Sequence, residues 1–113
     1  KNKQELLTRK GKYPKAVISV EEYRAENAVI PVRIANFENI INDVAEVSLS
    51  VWTAEDQSDM QWIQMSMQED GSYYADIDIS IFGYKQGEYS IHAYLVDSEG
   101  DQYRVAEAIG AVY

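Results

Sequence analysis

The sequence predicts an all-β domain, an antiparallel sandwich of about seven strands. Apolar residues recur at every second position rather than with the 3.6-residue period of a helix. Turn signals separate the apolar segments, among them Asp70-Gly71 and the stretch 97–100, and glycine after aspartate is a frequent hairpin turn. Short strands at this spacing, with no long helical pattern between them, are typical of a two-sheet sandwich.

The chain divides into a short basic head and an acidic body. Residues 1–15 hold six basic residues against one acid, a net charge of +5, together with Gly11 and Pro14. Residues 16–113 hold four basic residues against 18 acids, a net charge of −14. The head is predicted to be a linker or the tail of a preceding domain. The body has the length of one domain.

The first two strands are predicted at residues 16–20 and 28–34. Pro31 lies inside the second strand. Because proline has no N–H to donate to a neighbouring strand, it predicts an edge position or a bulge there. Residues 37–43 include Asn39 and Asn42 and are predicted to form a polar connection.

The third strand is predicted at residues 44–52 and the fourth at 60–67, with an acid-rich loop between them. The third strand carries its apolar side chains on one face: Val47, Leu49 and Val51. The apolar positions of the fourth segment change phase partway, since Met60 and Trp62 fall on one side and Ile63 on the other. The pattern therefore does not assign a buried face to this segment.

The last three strands are predicted at residues 73–80, 89–96 and 102–112. The first of these alternates clearly, and four residues are expected to face inward: Tyr73, Ala75, Ile77 and Ile79. Within the next strand, Tyr89-Ser90-Ile91-His92-Ala93 resembles the Tyr-x-apolar-x-Ala start of strand F in immunoglobulin and fibronectin type III domains. A tyrosine at that place commonly bonds its hydroxyl to nearby backbone, so Tyr89 is assigned a structural role.

Several motifs in order carry a wider resemblance. Val51-Trp52 is followed by the segment 57–62, by Asp70-Gly71, and by G-x-Y-x-I-H-x-Y at 87–94. This series resembles the streptococcal Bsp-like repeat family, often written GBS Bsp-like. The resemblance covers residues 45–112 well and the first two strands loosely. Ser58 and Ile63 depart from its pattern, and Phe82 stands where the family has an earlier histidine.

The resemblance implies a non-catalytic extracellular module of a cell-wall-associated protein in Gram-positive bacteria. Such a module would be secreted or held at the cell surface, beside neighbouring domains of its parent chain. Its expected partners are cell-wall polysaccharide or peptidoglycan. The chain opens with Lys1 and carries no signal-like segment, so we expect a piece of a longer protein.

Composition argues against several other classes. The acidic body repels phosphate backbones, which disfavours nucleic-acid binding. No apolar run approaches the roughly 20 residues that span a bilayer, so no membrane insertion is expected. There is no cysteine, which excludes disulfides and cysteine-ligated metals. Neither a metal site nor a cofactor is predicted.

Catalysis is not expected either. His92 is the only histidine, and no Gly-x-Ser-x-Gly element accompanies it. We expect it to be packed or hydrogen-bonded on the strand face opposite Ile91. Acids cluster at 55–59 and at 97–101, but neither run fits an EF-hand loop. They are predicted to be solvated loops, although the sequence leaves calcium binding open.

Binding through aromatic residues is the remaining hypothesis. Tyr74 and Tyr94 are out of phase with their apolar neighbours, and Trp52 shares a phase with two serines. Exposed rings beside carboxylates and hydroxyls suit sugars, although such rings also pack on loops or at domain interfaces. For the segment 57–62, we expect polar side chains that bond the backbone, with Trp62 in the core. The alternative is a small recognition site.

The candidate ligand-binding residues are Trp52, Gln57, Asp59, Trp62, Tyr74, His92 and Tyr94. Three functions remain open at this point: an accessory module that targets or spaces a protein at the cell wall, a glycan- or peptidoglycan-binding module, and a purely structural stalk repeat.

Overall fold

The structure is a computed structural model and describes residues 13–113. It contains eight strands and one short 3-10 turn, Ile79–Phe82. The strands are β1 (Lys15–Val20), β2 (Val29–Glu38), β3 (Val44–Trp52), β4 (Gln61–Gln64), β5 (Ser66–Met67), β6 (Tyr73–Asp78), β7 (Gly87–Asp97) and β8 (Gln102–Val112). Residues 1–12 of the linker predicted at 1–15 lie outside the described part of the chain.

The strands form two four-stranded sheets with the orders β1-β2-β6-β5 and β4-β3-β7-β8. Neighbouring strands within both sheets are antiparallel. The inward side chains of the two sheets share one apolar core, as in a β-sandwich. The all-β sandwich predicted from the sequence is therefore confirmed, with eight strands rather than seven.

Alternation along the strands builds the core. Val47, Leu49 and Val51 of β3 are fully buried, as predicted. The four residues predicted to face inward from the sixth strand are also buried: Tyr73, Ala75, Ile77 and Ile79. Because successive side chains point to opposite faces of a sheet, the residues between them are left on the outer faces.

The fourth predicted strand is two strands that belong to different sheets. β4 pairs with β3, whereas β5 pairs with β6 of the other sheet. Between them, the Met65 amide donates to the Val47 carbonyl at 3.0 Å, and the Met65 side chain is buried. The chain thus crosses the edge of the sandwich at Met65. This crossing is the physical reason for the change of phase in the sequence. The prediction of one continuous strand at 60–67 was therefore wrong.

Pro31 lies neither at an edge nor at a bulge, contrary to the prediction. β2 is a central strand between β1 and β6, and its pairing with β6 runs through Pro31 without a shift of register. The Glu21 amide donates to the Pro31 carbonyl at 2.9 Å, one residue after β1 ends. In an antiparallel pair the N and C=O of one residue face the same neighbour. The missing N–H of Pro31 therefore faces the point where the ladder to β1 stops.

Two boundaries differ from the predicted ones. β1 starts at Lys15 rather than at residue 16, and Pro14 before it is fully buried. β2 continues to Glu38, which shortens the predicted polar connection. Phe37 within this extension packs edge-on against Tyr73, with 5.9 Å between ring centroids.

Tyr89 takes the corner role predicted for it. Its ring is fully buried, and its hydroxyl donates to the Lys85 carbonyl at 2.7 Å. The ring of Phe82, from the 3-10 turn, meets it edge-on at 5.3 Å. Burial raises the pKa of the Tyr89 hydroxyl, which keeps it protonated as the donor.

Candidate functional site

The register of β4-β3-β7-β8 collects aromatic side chains on the outer face of that sheet. Ser50 of β3 is paired with Trp62 on one side and His92 on the other. Tyr94 lies two residues beyond His92 on the same face, and Trp52 is paired with Ser90. Four of the seven candidate residues are therefore brought together: Trp52, Trp62, His92 and Tyr94.

Each of these four rings contacts the next one across the sheet, and we call them the aromatic row. The centroids of Trp52 and His92 are 4.8 Å apart, those of His92 and Tyr94 6.5 Å, and those of Tyr94 and Trp62 5.3 Å. Edge-to-face contacts at such distances are favourable. The row is longer than a single sugar ring.

Small residues lie beneath the rings. Ser50 is only 4% exposed although its side chain belongs to the outer face. The side chains paired with it across the strands are large, Trp62 and His92, and they cover it. Serines at this place let the rings lean across the sheet and meet diagonally, within the reach of aromatic side chains.

Two shallow depressions flank the aromatic row. One, of about 470 Å³, is lined by Trp52, Ser90, His92, Glu107, Ala108 and Ile109. The other, of about 310 Å³, is lined by Glu46, Ser48, Trp62, Gln64, Val96 and Gln102. Both are open to solvent, so they offer surface for contact rather than an enclosed cavity. Each depression combines a tryptophan, hydrogen-bonding side chains and one carboxylate.

His92 is largely buried within the row, as expected, with 22% of its side chain exposed. Its Nε2 lies 3.6 Å from Oε2 of Glu107, and Nε of Arg104 lies 4.0 Å from the same oxygen. Burial and the Arg104 charge lower the pKa of His92, while Glu107 acts in the opposite direction. His92 is therefore neutral at neutral pH.

Trp62 is not in the core, contrary to the prediction for the segment 57–62, since it is 53% exposed. Its pairing with Ser50 places it on the outer face. Ile63 takes the inward position instead, opposite Leu49. The sequence did not show which of these two neighbours faces inward, because the chain changes sheets two residues later.

Asp59 holds the loop between β3 and β4 together through its side chain, as the first interpretation of this segment expected, whereas Gln57 takes part through its backbone. Asp59 accepts hydrogen bonds from the amides of Thr53 and Ala54 and from the Thr53 hydroxyl. Burial acts to raise the pKa of Asp59, but these bonds outweigh it and lower that pKa to about 2. Gln57 bonds through its backbone to Ala54 and Met60.

Tyr74 lies on the outer face of the opposite sheet, in β6, and so is separated from the aromatic row. Its hydroxyl donates to Oδ1 of Asp76 at 2.5 Å. The Arg33 guanidinium stands over its ring, 5.3 Å from the centroid. Both the ring and the hydroxyl are therefore occupied by neighbours within the same sheet.

The acidic loops are organised by their own backbone. Asp97 is 3% exposed and accepts hydrogen bonds from the amides of Glu99 and Asp101 and from the Asn42 side chain. Across residues 13–113, no three acidic or histidine side chains lie close enough together to hold a metal ion. The same part of the chain contains no helix with the length and apolar character needed to cross a bilayer.

The sequence did not point to Glu46, Ser90, Glu107 or Ile109, which line the depressions. Glu46, Glu107 and Ile109 are ordinary strand residues with no motif around them, and Ser90 is an unspecified position of the motif at 87–94. They meet the aromatic row only through the pairing of β7 with β8 and with β3. Cross-strand register was the missing information.

Residues 19–109 match the family model of the GBS Bsp-like repeat. The match covers most of the chain, and the chain belongs to this family. Among curated proteins, none matches the sequence.

Two solved structures share the fold. BC0361, a polysaccharide deacetylase from Bacillus cereus, matches with a TM-score of 0.67 and 18% identity. BA0330 from Bacillus anthracis, also described as a polysaccharide deacetylase, matches with a TM-score of 0.65 and 17% identity. In both cases 86% of this chain is covered, but the chain spans only 30% of the other protein's length.

Proposed function

We propose that this domain is a non-catalytic accessory module of a larger extracellular protein that acts at the cell wall of a Gram-positive bacterium. The observation that carries the proposal is the combination of family and context. The chain is a GBS Bsp-like repeat, and the same fold forms 30% of two proteins described as polysaccharide deacetylases. The module would hold such a protein on wall polysaccharide.

The aromatic row supports a binding role. It lies on an open sheet face, half of the Trp62 side chain is exposed, and hydrogen-bonding groups flank it. Sites for small molecules typically combine aromatic surface with a few polar groups. On the outer face of the opposite sheet stands Tyr74, whose hydroxyl is already bonded to Asp76.

One group of side chains on the face that carries the aromatic row resembles a serine–histidine–acid arrangement, but its geometry does not suit catalysis. Ser50, His92 and Glu107 lie side by side across three strands. However, a serine nucleophile must be bonded to its base and reachable by substrate. Ser50 is 4% exposed beneath the rings, and within residues 13–113 no hydrogen bond joins it to His92. This supports assigning catalysis to another part of the parent protein.

A spacer role is the second candidate. Tyr13 packs against Tyr103 at the start of β8, whereas Tyr113 follows the other end of that strand. An 11-residue strand is roughly 35 Å long. The described chain thus begins and ends at opposite poles of the sandwich, which suits a module placed in line between neighbours.

Sedimentation with purified Gram-positive cell-wall sacculi tests the proposal. The domain should pellet with sacculi and release neither muropeptides nor acetate from them. Release that disappears in His92→Ala would contradict the non-catalytic assignment. A domain that stays in the supernatant would favour the spacer role over targeting.

A further inference from the structure

We propose that the aromatic row, together with Glu46 and Glu107, binds a linear polysaccharide whose sugars carry free, protonated amino groups. This inference rests on the proposed function and deepens it, since it names the class of ligand. De-N-acetylated hexosamine chains are polymers of this kind.

The shape of the face suits an oligosaccharide. The sheet is open, and the aromatic row crosses it without a gap between successive ring contacts. Trp62 supplies the most accessible surface, with 53% exposure. The apolar face of a sugar ring can lie on an indole, and the depressions at both ends of the row can take the adjoining residues of a chain.

Each depression holds a carboxylate close to a tryptophan. Glu107 lines the depression that contains Trp52, and Glu46 lines the one that contains Trp62. An ammonium group at either place would gain both an ion pair and attraction to the face of the indole. A neutral N-acetyl group would gain neither of these.

The charge of the face favours a cation. The register of β3, β7 and β8 places three carboxylates on it, from Glu46, Glu88 and Glu107, against one guanidinium, from Arg104, because β8 has an irregularity between Arg104 and Glu107. His92 adds no positive charge at neutral pH, because burial and Arg104 lower its pKa. The whole chain carries a net charge of −9. Anionic wall polymers would be repelled by this field, and polyamines attracted to it.

Binding of oligomers of β-1,4-linked glucosamine, compared with N-acetylated oligomers of equal length, tests the inference. We expect the free-amine oligomer to bind at least about tenfold more tightly and to weaken as salt is added. Backbone amide signals in β3, β4 and β7 should shift on titration. Equal or tighter binding of the N-acetylated oligomer would overturn the inference.

Variants separate the site from general attraction to an acidic protein. Trp62→Ala should reduce affinity for the free-amine oligomer at least about tenfold, and the isosteric changes Glu46→Gln and Glu107→Gln severalfold each. Tyr74→Ala removes an aromatic ring from the opposite face, and Glu69→Gln removes an exposed carboxylate from the turn after β5. Both controls should bind as the wild type does. Equally large losses of affinity in the two control variants would show that the attraction is non-specific, and would overturn the assignment of the site.

The same preparations distinguish this inference from the proposed function. If sacculi retain the domain but the free-amine oligomer does not bind, the ligand class is wrong while the accessory role stands. If neither binds, both proposals fail. A folded spectrum for Trp62→Ala, checked by amide dispersion, ensures that a loss of binding is not a loss of structure.

Discussion

The two faces of the β4-β3-β7-β8 sheet differ completely in character although the same strands form them. Along β7, the inward side chains Tyr89, Ile91 and Ala93 are fully buried. His92 and Tyr94, at alternate positions with these residues, stand on the outer face with their rings partly exposed to water. The inner face is closed by the second sheet, whereas the outer face is left to the aromatic row and two depressions.

The residues that stabilise the sheet and those available for contact therefore occupy alternate positions of one strand. A change on the inner face removes buried area that holds the sheets together. A change on the outer face removes surface that a ligand would meet. The two properties should therefore respond to different substitutions, and the following experiments examine that separation.

Leu49→Ala, on the inner face of β3, should have the largest effect on stability. Leu49 is fully buried, and truncation of such a leucine costs about 2–5 kcal/mol. Urea unfolding measures the loss, with Ser48→Ala on the outer face as the matched control, expected within about 0.5 kcal/mol of wild type. Similar costs at both positions would break the proposed division of the strand.

Asp59→Ala should destabilise the loop that joins β3 to β4 by about 1 kcal/mol, because it leaves the Thr53 and Ala54 amides without their acceptor. The folded pKa of Asp59, about 2, is below its usual value of 3.8. Its contribution is therefore complete above 3.8 and is lost as the pH falls towards 2.

Urea titrations of wild type and Asp59→Ala at neutral and at strongly acid pH check this. The gap between the two proteins should close in acid. Glu55→Ala, an exposed acid of the same loop, should show no such gap. A constant gap at all pH values would mean that the carboxylate charge plays no part.

Tyr89→Phe should cost about 1 kcal/mol, the usual net worth of one hydrogen bond. The ring stays in the core, but the bond from its hydroxyl to the Lys85 carbonyl is lost. Tyr84→Phe is the control, since Tyr84 is 63% exposed and its hydroxyl should not contribute. Thermal unfolding of both variants sharpens the contrast between buried and exposed tyrosines.

Trp62→Ala should change stability by less than about 1 kcal/mol, in spite of the size of the side chain. Half of Trp62 is already in water, and the principal loss is its edge contact with Tyr94. Its urea midpoint, set against that of Leu49→Ala, tests the comparison directly. A cost near that of Leu49→Ala would place Trp62 among the core residues after all.

Titration of His92 should have the smallest effect on stability, seen as a dependence of the free energy of unfolding on pH. Its folded pKa is lowered below the usual 6.5, so the unfolded state binds the proton more readily. The neutral form is the one that folding favours, and stability should fall as the pH drops through 6.5 towards the folded pKa.

Nuclear magnetic resonance titration of the His92 ring measures the folded value, and His92→Gln should remove this part of the pH dependence of unfolding. A folded pKa above 6.5 would mean that Glu107 outweighs burial and Arg104. The face would then carry an additional positive charge, which would also weaken the argument for a cationic ligand.

Much of the fold could be predicted because the alternation of apolar residues is local. The third strand was predicted with its observed bounds, and its three inward residues are fully buried. The Tyr89 corner also follows from a local pattern and is confirmed by its bond to Lys85. In each case, neighbours along the chain are enough to decide which face is buried.

The sequence predictions that were wrong concern positions whose burial or exposure depends on a strand far away in the chain. Pro31 is tolerated in a central strand only because β1 ends beside it. The segment 60–67 changes sheets, so Trp62 stays outside and Met65 enters the core. Tyr74 was grouped with the other candidate rings, but its strand lies in the opposite sheet. No pattern within a single segment contains these facts.

The fold class, most strands and the inward positions follow from the sequence alone, because a period of two results from backbone geometry and the burial of apolar side chains. So do the acidic charge and the family. Which outward residues meet depends on the tertiary structure. Cross-strand register brings the four rings of the aromatic row onto the outer face of one sheet, whereas Tyr74 lies on the outer face of the other sheet. Contacts between strands depend on how the whole chain pairs, and that pairing is set by closing the core.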